Sequence, residues 1–168
     1  IDLLFTRGIA GHTDYTPGIF SHPQGDGFTH AMQLASAMMF TSPLLCWADH
    51  PDQYLASEGL EINKTLPTVW DETIVLPGTE LDKLAVFARR KGTDWHIAGI
   101  NGFADKKQSY ALDLSFLGAK EYTALICNDD VATGSHLIQA NTQAVKGGET
   151  LNINMLPSGG FIIRLTEK

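Results

Sequence analysis

Leu151-Asn152-Ile153-Asn154-Met155 alternates apolar and amide side chains with a period of two. Successive side chains of a strand point to opposite faces, so this stretch reads as a strand with one buried and one wetted face. Tyr110-Ala111-Leu112-Asp113-Leu114 repeats the pattern upstream. Around these two, further short strands are expected over 69–76, 84–89, 95–100, 122–127, 143–145 and 161–165. Pro77-Gly78, Gly92, Asn101-Gly102, Gly134, Gly147-Gly148 and Gly159-Gly160 punctuate them. Regularly spaced short strands separated by turn residues indicate an antiparallel β-sandwich, here over residues 67–168. A segment of that size can close its own core, so it is expected to fold without the residues before it.

The first 66 residues follow a different pattern. Leu3 to Ile9 reads as a strand and Ala10 to Gly27 as a long loop. Phe28 to Thr41 has helical periodicity, with Asp26 as N-cap and Pro43 as the stop. Thr29, Gln33 and Ser36 form one narrow polar stripe on that helix, and Ala31, Met32, Leu34, Ala35, Met38 and Met39 cover the rest. A helix this apolar is buried on several sides. One neighbouring strand cannot bury it, so its expected partners are other elements of a β/α barrel, absent from this sequence or supplied in another way. Residues 44–66 are irregular, with a second helical candidate over 52–60.

The run from Phe5 to Gly18 concentrates Arg7, His12, Asp14 and Tyr15 behind the expected strand and closes on Pro17-Gly18. Titratable and aromatic groups just past a strand end are what a substrate-facing barrel loop carries. His12 and Asp14 are the candidates for a substrate-pocket rim. The alternative is local: Asp14 and Thr16 make turn bonds to the backbone, Arg7 pairs with a carboxylate, and Tyr15 packs.

Composition narrows the classes. The chain has 168 residues, 43% hydrophobic and 18% charged, with a net charge of −7. That balance fits a folded chain and argues against nucleic acid, which requires a clustered basic face. Arg89-Arg90-Lys91-Gly92 is the one compact basic cluster and reads as solvated charge at a hairpin turn. No run approaches the ~20 apolar residues of a membrane span. Cys46 and Cys127 have no metal-ligand spacing and read as buried free thiols. The histidines are scattered, with no zinc-like pair on one element. Trp47 and Trp95 read as core, and Trp70 as a wedge at the junction between the two parts. Ile1-Asp2-Leu3-Leu4 has neither an initiator Met nor a basic leader, so the chain is expected to be an internal piece.

Five segments together resemble glycoside hydrolase family 97, the bacterial α-glucosidases and α-galactosidases. They are the opening run from Phe5 to Gly18, Thr68-Val69-Trp70-Asp71-Glu72-Thr73, Ala88 to Ile100, Asp113-Leu114-Ser115-Phe116-Leu117, and Gly159 to Leu165. The resemblance implies a mixed fold: the last βα unit of a (β/α)8 TIM barrel over 1–66, then an all-β antiparallel sandwich over 67–168. It also implies a parent enzyme that cleaves α-linked glucosides or galactosides from the non-reducing end, with calcium in its site, in the periplasm or outside the cell. The family contains inverting and retaining members, which differ in whether a carboxylate activates water or attacks directly. Its catalytic carboxylates and glutamate calcium ligands precede the opening run. Glu58, Glu61, Glu72, Glu80, Glu121, Glu149 and Glu167 all follow it. The expected set of catalytic residues and metal ligands in this chain is therefore empty. Its expected partners are an α-linked oligosaccharide and the remainder of the barrel. A non-catalytic sandwich for domain packing or carbohydrate binding is the competing reading.

Overall fold

The computed structural model of the chain describes residues 1–21 and 27–168. Its strands are β1 (Glu72–Val75), β2 (Leu84–Lys91), β3 (Asp94–Asn101), β4 (Gln108–Asp113), β5 (Glu121–Asp130), β6 (Ser135–Lys146), β7 (Thr150–Met155) and β8 (Gly160–Glu167). Six of them form one sheet in the order β1-β2-β3-β8-β5-β6, and β4 and β7 pair as a second sheet. Every pairing is antiparallel. All the expected strands of the sandwich are present. The one expected over 143–145 is much longer, because β6 runs beside β5 from Lys146 back to Ser135. Its polar residues there hid the periodicity.

The central strands read as continuous apolar runs because they are covered on both faces. On the inner face, Val86, Ile97, Tyr122, Phe161, Ile163 and Leu165 meet Leu112, Ile153 and Met155 of the small sheet. Trp95 belongs to this core, as its place in a strand implied. Gly99 has a packing reason: a Cβ there would stand 2.3 Å from the Phe161 ring, its cross-strand partner.

The opposite face carries a second core. Helix α2 (His30–Met39) lies across it, after the short helix α1 (Asp2–Phe5) and before α3 (Pro51–Leu55) and α4 (Leu60–Thr65). Leu34, Ala35 and Met38 of α2 pack with Ala85, Phe87, Ala98, Ile100, Cys127 and Ile162 of the large sheet. The partners expected from a barrel are thus supplied by the sandwich itself. The sequence pattern on α2 was read correctly as deep burial, but its cover is the sheet's outer face.

The expected strand over residues 3–9 is not formed. Asp2–Phe5 is α-helical, Arg7–Ile9 is a 3-10 turn, and no barrel βα unit is found among the described residues. A strand needs a neighbour for its backbone groups. Local bonds satisfy them here instead, such as Leu4 N–H to Ile1 O at 2.9 Å and Ala10 N–H to Arg7 O at 3.1 Å. Leu4 joins the second core, and Phe5 meets Phe87 edge to face at 5.6 Å. The second helical candidate resolves into α3 and α4, with Pro51 at the start of α3. The expected cap Asp26 lies outside the described residues. Thr29 caps α2, its hydroxyl accepting Met32 N–H at 3.1 Å.

Leu34 is fully buried in the second core. Leu34→Ala should lower the unfolding free energy of the whole chain by about 2–5 kcal/mol in a urea titration. Residues 67–168 alone should bind a hydrophobic dye and melt well below the whole chain, because Phe87, Ile100 and Ile162 lose their cover. An unchanged melting temperature without dye binding would contradict the two-core description.

Candidate functional site

Residues 10–21 run back along α2, and the polar stripe on that helix is the seam. Tyr15 donates its hydroxyl proton to Ser36 Oγ at 2.9 Å, and Gly18 N–H donates to Gln33 Oε1 at 3.1 Å. Thr13 N–H reaches Thr41 O at 2.9 Å beyond the helix end. Tyr15 also packs on Phe40 at 4.6 Å, and burial raises its phenol pKa above the ordinary value, with the Ser36 bond opposing. Tyr15 is thus a packing residue.

The far end of the loop is clamped from 49–54. Asp49 Oδ2 accepts the N–H groups of Phe20 and Ser21 at 2.7 and 2.6 Å, and Oδ1 accepts that of His50 at 2.7 Å. Desolvation works against the Asp49 carboxylate, but bonds from Ser21, His50 and Phe20 outweigh it and hold the pKa below the ordinary value. Tyr54 donates to Gly18 O at 2.8 Å and accepts Asp49 N–H at 2.6 Å. Phe20 stacks on His30 at 4.6 Å, and Trp47 packs on Tyr54 at 5.6 Å.

His12 and Asp14 are both exposed on this loop. Among the described residues, Arg7 pairs with no carboxylate. Its Nη2 donates to His12 O at 3.2 Å and its Nη1 to Gly11 O at 3.5 Å, so it braces its own turn. The structure brings Arg7 and His12 together, turns Tyr15 inward, and leaves the His12 and Asp14 side chains facing outward.

The C-terminal end of α2 is tied to the large sheet by a buried charge, and a second buried charge lies near the helix's N-cap. At the C-terminal end, Arg89 Nη1 donates to Met38 O at 2.6 Å and Nη2 to Met39 O at 3.0 Å. The guanidinium also faces the rings of Phe87 and Trp70 at 5.7 and 5.9 Å. Burial pushes its pKa down to about 10, which leaves it charged at neutral pH. The sequence expectation of a fully solvated basic cluster is corrected at this residue. Arg89 shares a face with Phe87 and Ala85 by strand alternation, and that face is covered. Arg90 and Lys91 do behave as expected, pairing near the surface with Glu72 and Asp71, both at 3.0 Å.

At the N-terminal end, Asp129 is fully buried. Its Oδ2 accepts the N–H groups of Leu156 at 2.8 Å and Gly160 at 2.9 Å. Desolvation lifts the carboxyl to about 6, opposed by the nearby Thr29 hydroxyl and those two amides. Asp129 Oδ1 has no hydrogen-bond partner among the described residues. A Cβ on Gly159 would stand 1.9 Å from Oδ2, so only glycine fits there. Nothing in the sequence pattern marked Asp129 or the Asp49–Tyr54 clamp, because each acts on backbone amides distant in sequence.

Trp70 meets His96 edge to face at 5.2 Å, consistent with its expected wedge role. Neither ring nitrogen of His96 has a partner among the described residues. Burial, with nearby Arg164 adding to it and Asp94 opposing, pushes the imidazole down to about 4. Cys127 is buried as expected, its thiol pushed up to about 12 by burial and by Glu58, whereas Cys46 is exposed, which corrects the expectation for it. The apolar residues near Cys46 do not enclose it, since Leu44 beside it is itself exposed. Among the described residues, no helix is long and apolar enough to cross a membrane.

A two-sheet sandwich with a helical layer fastened to its outer face is an architecture found in glycoside hydrolases. A glycoside hydrolase family 97 enzyme from Pseudoalteromonas sp. strain K8, solved in complex with panose, superimposes over 99% of this chain. The TM-score is 0.87 with 28% identity, and the match covers 28% of that enzyme. A β-arabinopyranosidase shares the fold over 94% of this chain, with a TM-score of 0.75 at 24% identity. Residues 69–166 match the family described as glycosyl-hydrolase 97 C-terminal, oligomerisation, and the chain belongs to that family. A retaining α-galactosidase of Bacteroides thetaiotaomicron is 32% identical over 96% of this chain and 26% of its own length. A probable retaining α-galactosidase of Streptomyces bingchenggensis is 32% identical over 95% of this chain and 24% of its own. The chain therefore spans about a quarter of the curated relatives it matches.

His96 sets a pH dependence with a definite sign. The unfolded chain takes up a proton near the ordinary value of 6.5, but the folded chain only near 4. Its contribution to stability is complete above 6.5 and is lost as pH falls from 6.5 to 4. Asp129 acts in the opposite sense, costing stability as pH rises from 3.8 to about 6. His96→Phe should therefore shrink the loss of urea-midpoint stability on going from neutral pH to about 4. An unchanged pH slope would rule His96 out as its source.

Proposed function

We propose that this chain is the C-terminal portion of a calcium-dependent, exo-acting α-glycosidase that hydrolyses α-linked glucosides or galactosides. The observation that carries this reading is the 32% identity to a retaining α-galactosidase sustained over 96% of the chain. The alignment extends through the loop and helix layer as well as the sandwich. The family 97 enzyme solved with panose supports an oligosaccharide substrate. A periplasmic or secreted location belongs to the same reading.

Glycosidic cleavage needs two carboxyl groups flanking the scissile bond. Calcium takes six to eight oxygen ligands, with carboxylates prominent among them. Among the described residues, no three His, Cys, Asp or Glu side chains converge as a metal site. The described residues therefore offer calcium no converging carboxylate shell. The catalytic carboxylates and calcium ligands are assigned to the rest of the enzyme. This chain contributes a base: α2, packed on the sheet and fixed there by Arg89, carries the loop that presents His12 and Asp14 as a pocket rim.

The complete enzyme should hydrolyse aryl α-galactosides or α-glucosides and lose that activity to a chelator. The 168-residue chain alone should hydrolyse neither, and calcium-dependent turnover by it would overturn the assignment. In the complete enzyme, Asp14→Asn tests the rim. A lost hydrogen bond to a sugar hydroxyl is worth about 0.5–1.5 kcal/mol, a roughly two- to tenfold fall in kcat/KM. Wild-type kinetics in that variant would remove Asp14 from the rim.

A further inference from the structure

The small sheet covers only part of the large sheet's inner face. Beside it, between β5–β6 and β7, lies an open cleft of about 470 Å³. Gln139, Asn141 and Gln143 alternate along β6 on the face that carries buried Val145, and all three are exposed. Gln139 stands opposite Asn128, and Asn141 opposite Ile126. The edge of β7 from Thr150 to Asn154 forms the facing wall, while the Asn152 and Asn154 side chains lie on the wetted outer face of the small sheet, where Asn154 Oδ1 accepts from Ser109 Oγ.

This lining has an unusual chemistry for the surface of a chain with a net charge of −7. Among the described residues that line the cleft, Asp129 alone is ionisable, and strand alternation turns its side chain to the opposite face, where Leu156 and Gly160 hold it; Lys107 reaches the rim, donating to Val131 O at 3.3 Å. Sheet edges are ordinarily guarded by charge, and this chain does so at the far end of β6, where Lys146 pairs with Glu121 at 2.8 Å. Part of the β6 edge is already blocked, since Glu58 accepts Ala140 N–H at 2.8 Å and Glu149 accepts Lys146 N–H at 3.1 Å. Edge protection therefore does not account for the amides. A carboxamide offers two donors and an acceptor without charge. A ladder of them above apolar Ile126, Leu151 and Ile153 matches a ligand that is uncharged, rich in hydroxyls and partly apolar on its ring faces.

We propose that this cleft binds a neutral oligosaccharide. The proposal stands on the cleft's own residues, so it holds or fails independently of the hydrolytic reading. Among the described residues no aromatic ring lines the cleft, so binding rests on hydrogen bonds and belongs in the millimolar range.

The test is a titration of the isotope-labelled 168-residue chain with panose, followed by the side-chain amide resonances of Gln139, Asn141 and Gln143. Saturable shifts at millimolar panose are expected. The combined Gln139→Ala, Asn141→Ala and Gln143→Ala variant should bind at least tenfold more weakly, with its melting temperature unchanged. Asn141→Leu alone, on the same criterion, serves if the triple variant is unstable. Three results would overturn the proposal. One is no saturable shift up to the solubility of panose. Another is shifts of equal size in the variants. The third is shifts that follow protein concentration rather than panose, which would make the cleft a strand-pairing surface for a second copy.

Discussion

Helix α2 ends at Met39, and its last carbonyls have no further turn to bond to. Met38 and Met39 are buried, so water cannot satisfy them either. Arg89 resolves this by reaching from the sheet and donating to both carbonyls at once. A guanidinium suits the task because its planar fork stays charged even when burial lowers its pKa to about 10. The favourable end of the helix dipole faces the cation. The position of the helix on the sheet, and of everything bonded to the helix, follows from that contact.

Near the N-terminal end lies a buried charge of the opposite sign, bonded to the turn before β8 rather than to the helix. Asp129 carries a carboxylate beneath Thr29, where α2 begins, and ties the turn before β8 to the same point. Removing one partner from such a buried arrangement costs more than the bond is worth, because the remaining group stays desolvated. Between the two ends, Leu34, Ala35 and Met38 fill the second core. The loop over 10–21 then rests on the helix's polar stripe and on the Asp49–Tyr54 clamp. His12 and Asp14 are held by a chain of contacts that begins at the sheet.

The sandwich was legible because its strands announce themselves twice, by alternation and by turn residues. Leu112, Ile153 and Phe161 fall where the period places them. The burial of α2 was legible too, from its narrow polar stripe. What covers α2 was not, because a buried face in sequence does not name its partner. The expected strand over 3–9 failed for the same reason: LLF suits either structure, and the absence of a neighbouring strand decided for helix. Arg89 was misread within a charged tripeptide when strand alternation with Ala85 and Phe87 could have separated it from Arg90. Asp49 and Asp129 are single carboxylates acting on distant amides, and no local pattern marks them. For the proposed rim, the sequence supplied His12 and Asp14 as candidates, and the structure supplies the support beneath them.

The account makes the helical layer and the sandwich one cooperative unit rather than two bodies in contact. Native-state hydrogen exchange on the whole chain tests this most directly. If Arg89 and the second core join the layers, the amides of Leu34 to Met38 should open with the same free energy as those of Ile97 and Ile163 in the central strands, and respond equally to added denaturant. Amides of α2 that exchange at a much lower free energy, while the strands stay protected, would contradict it.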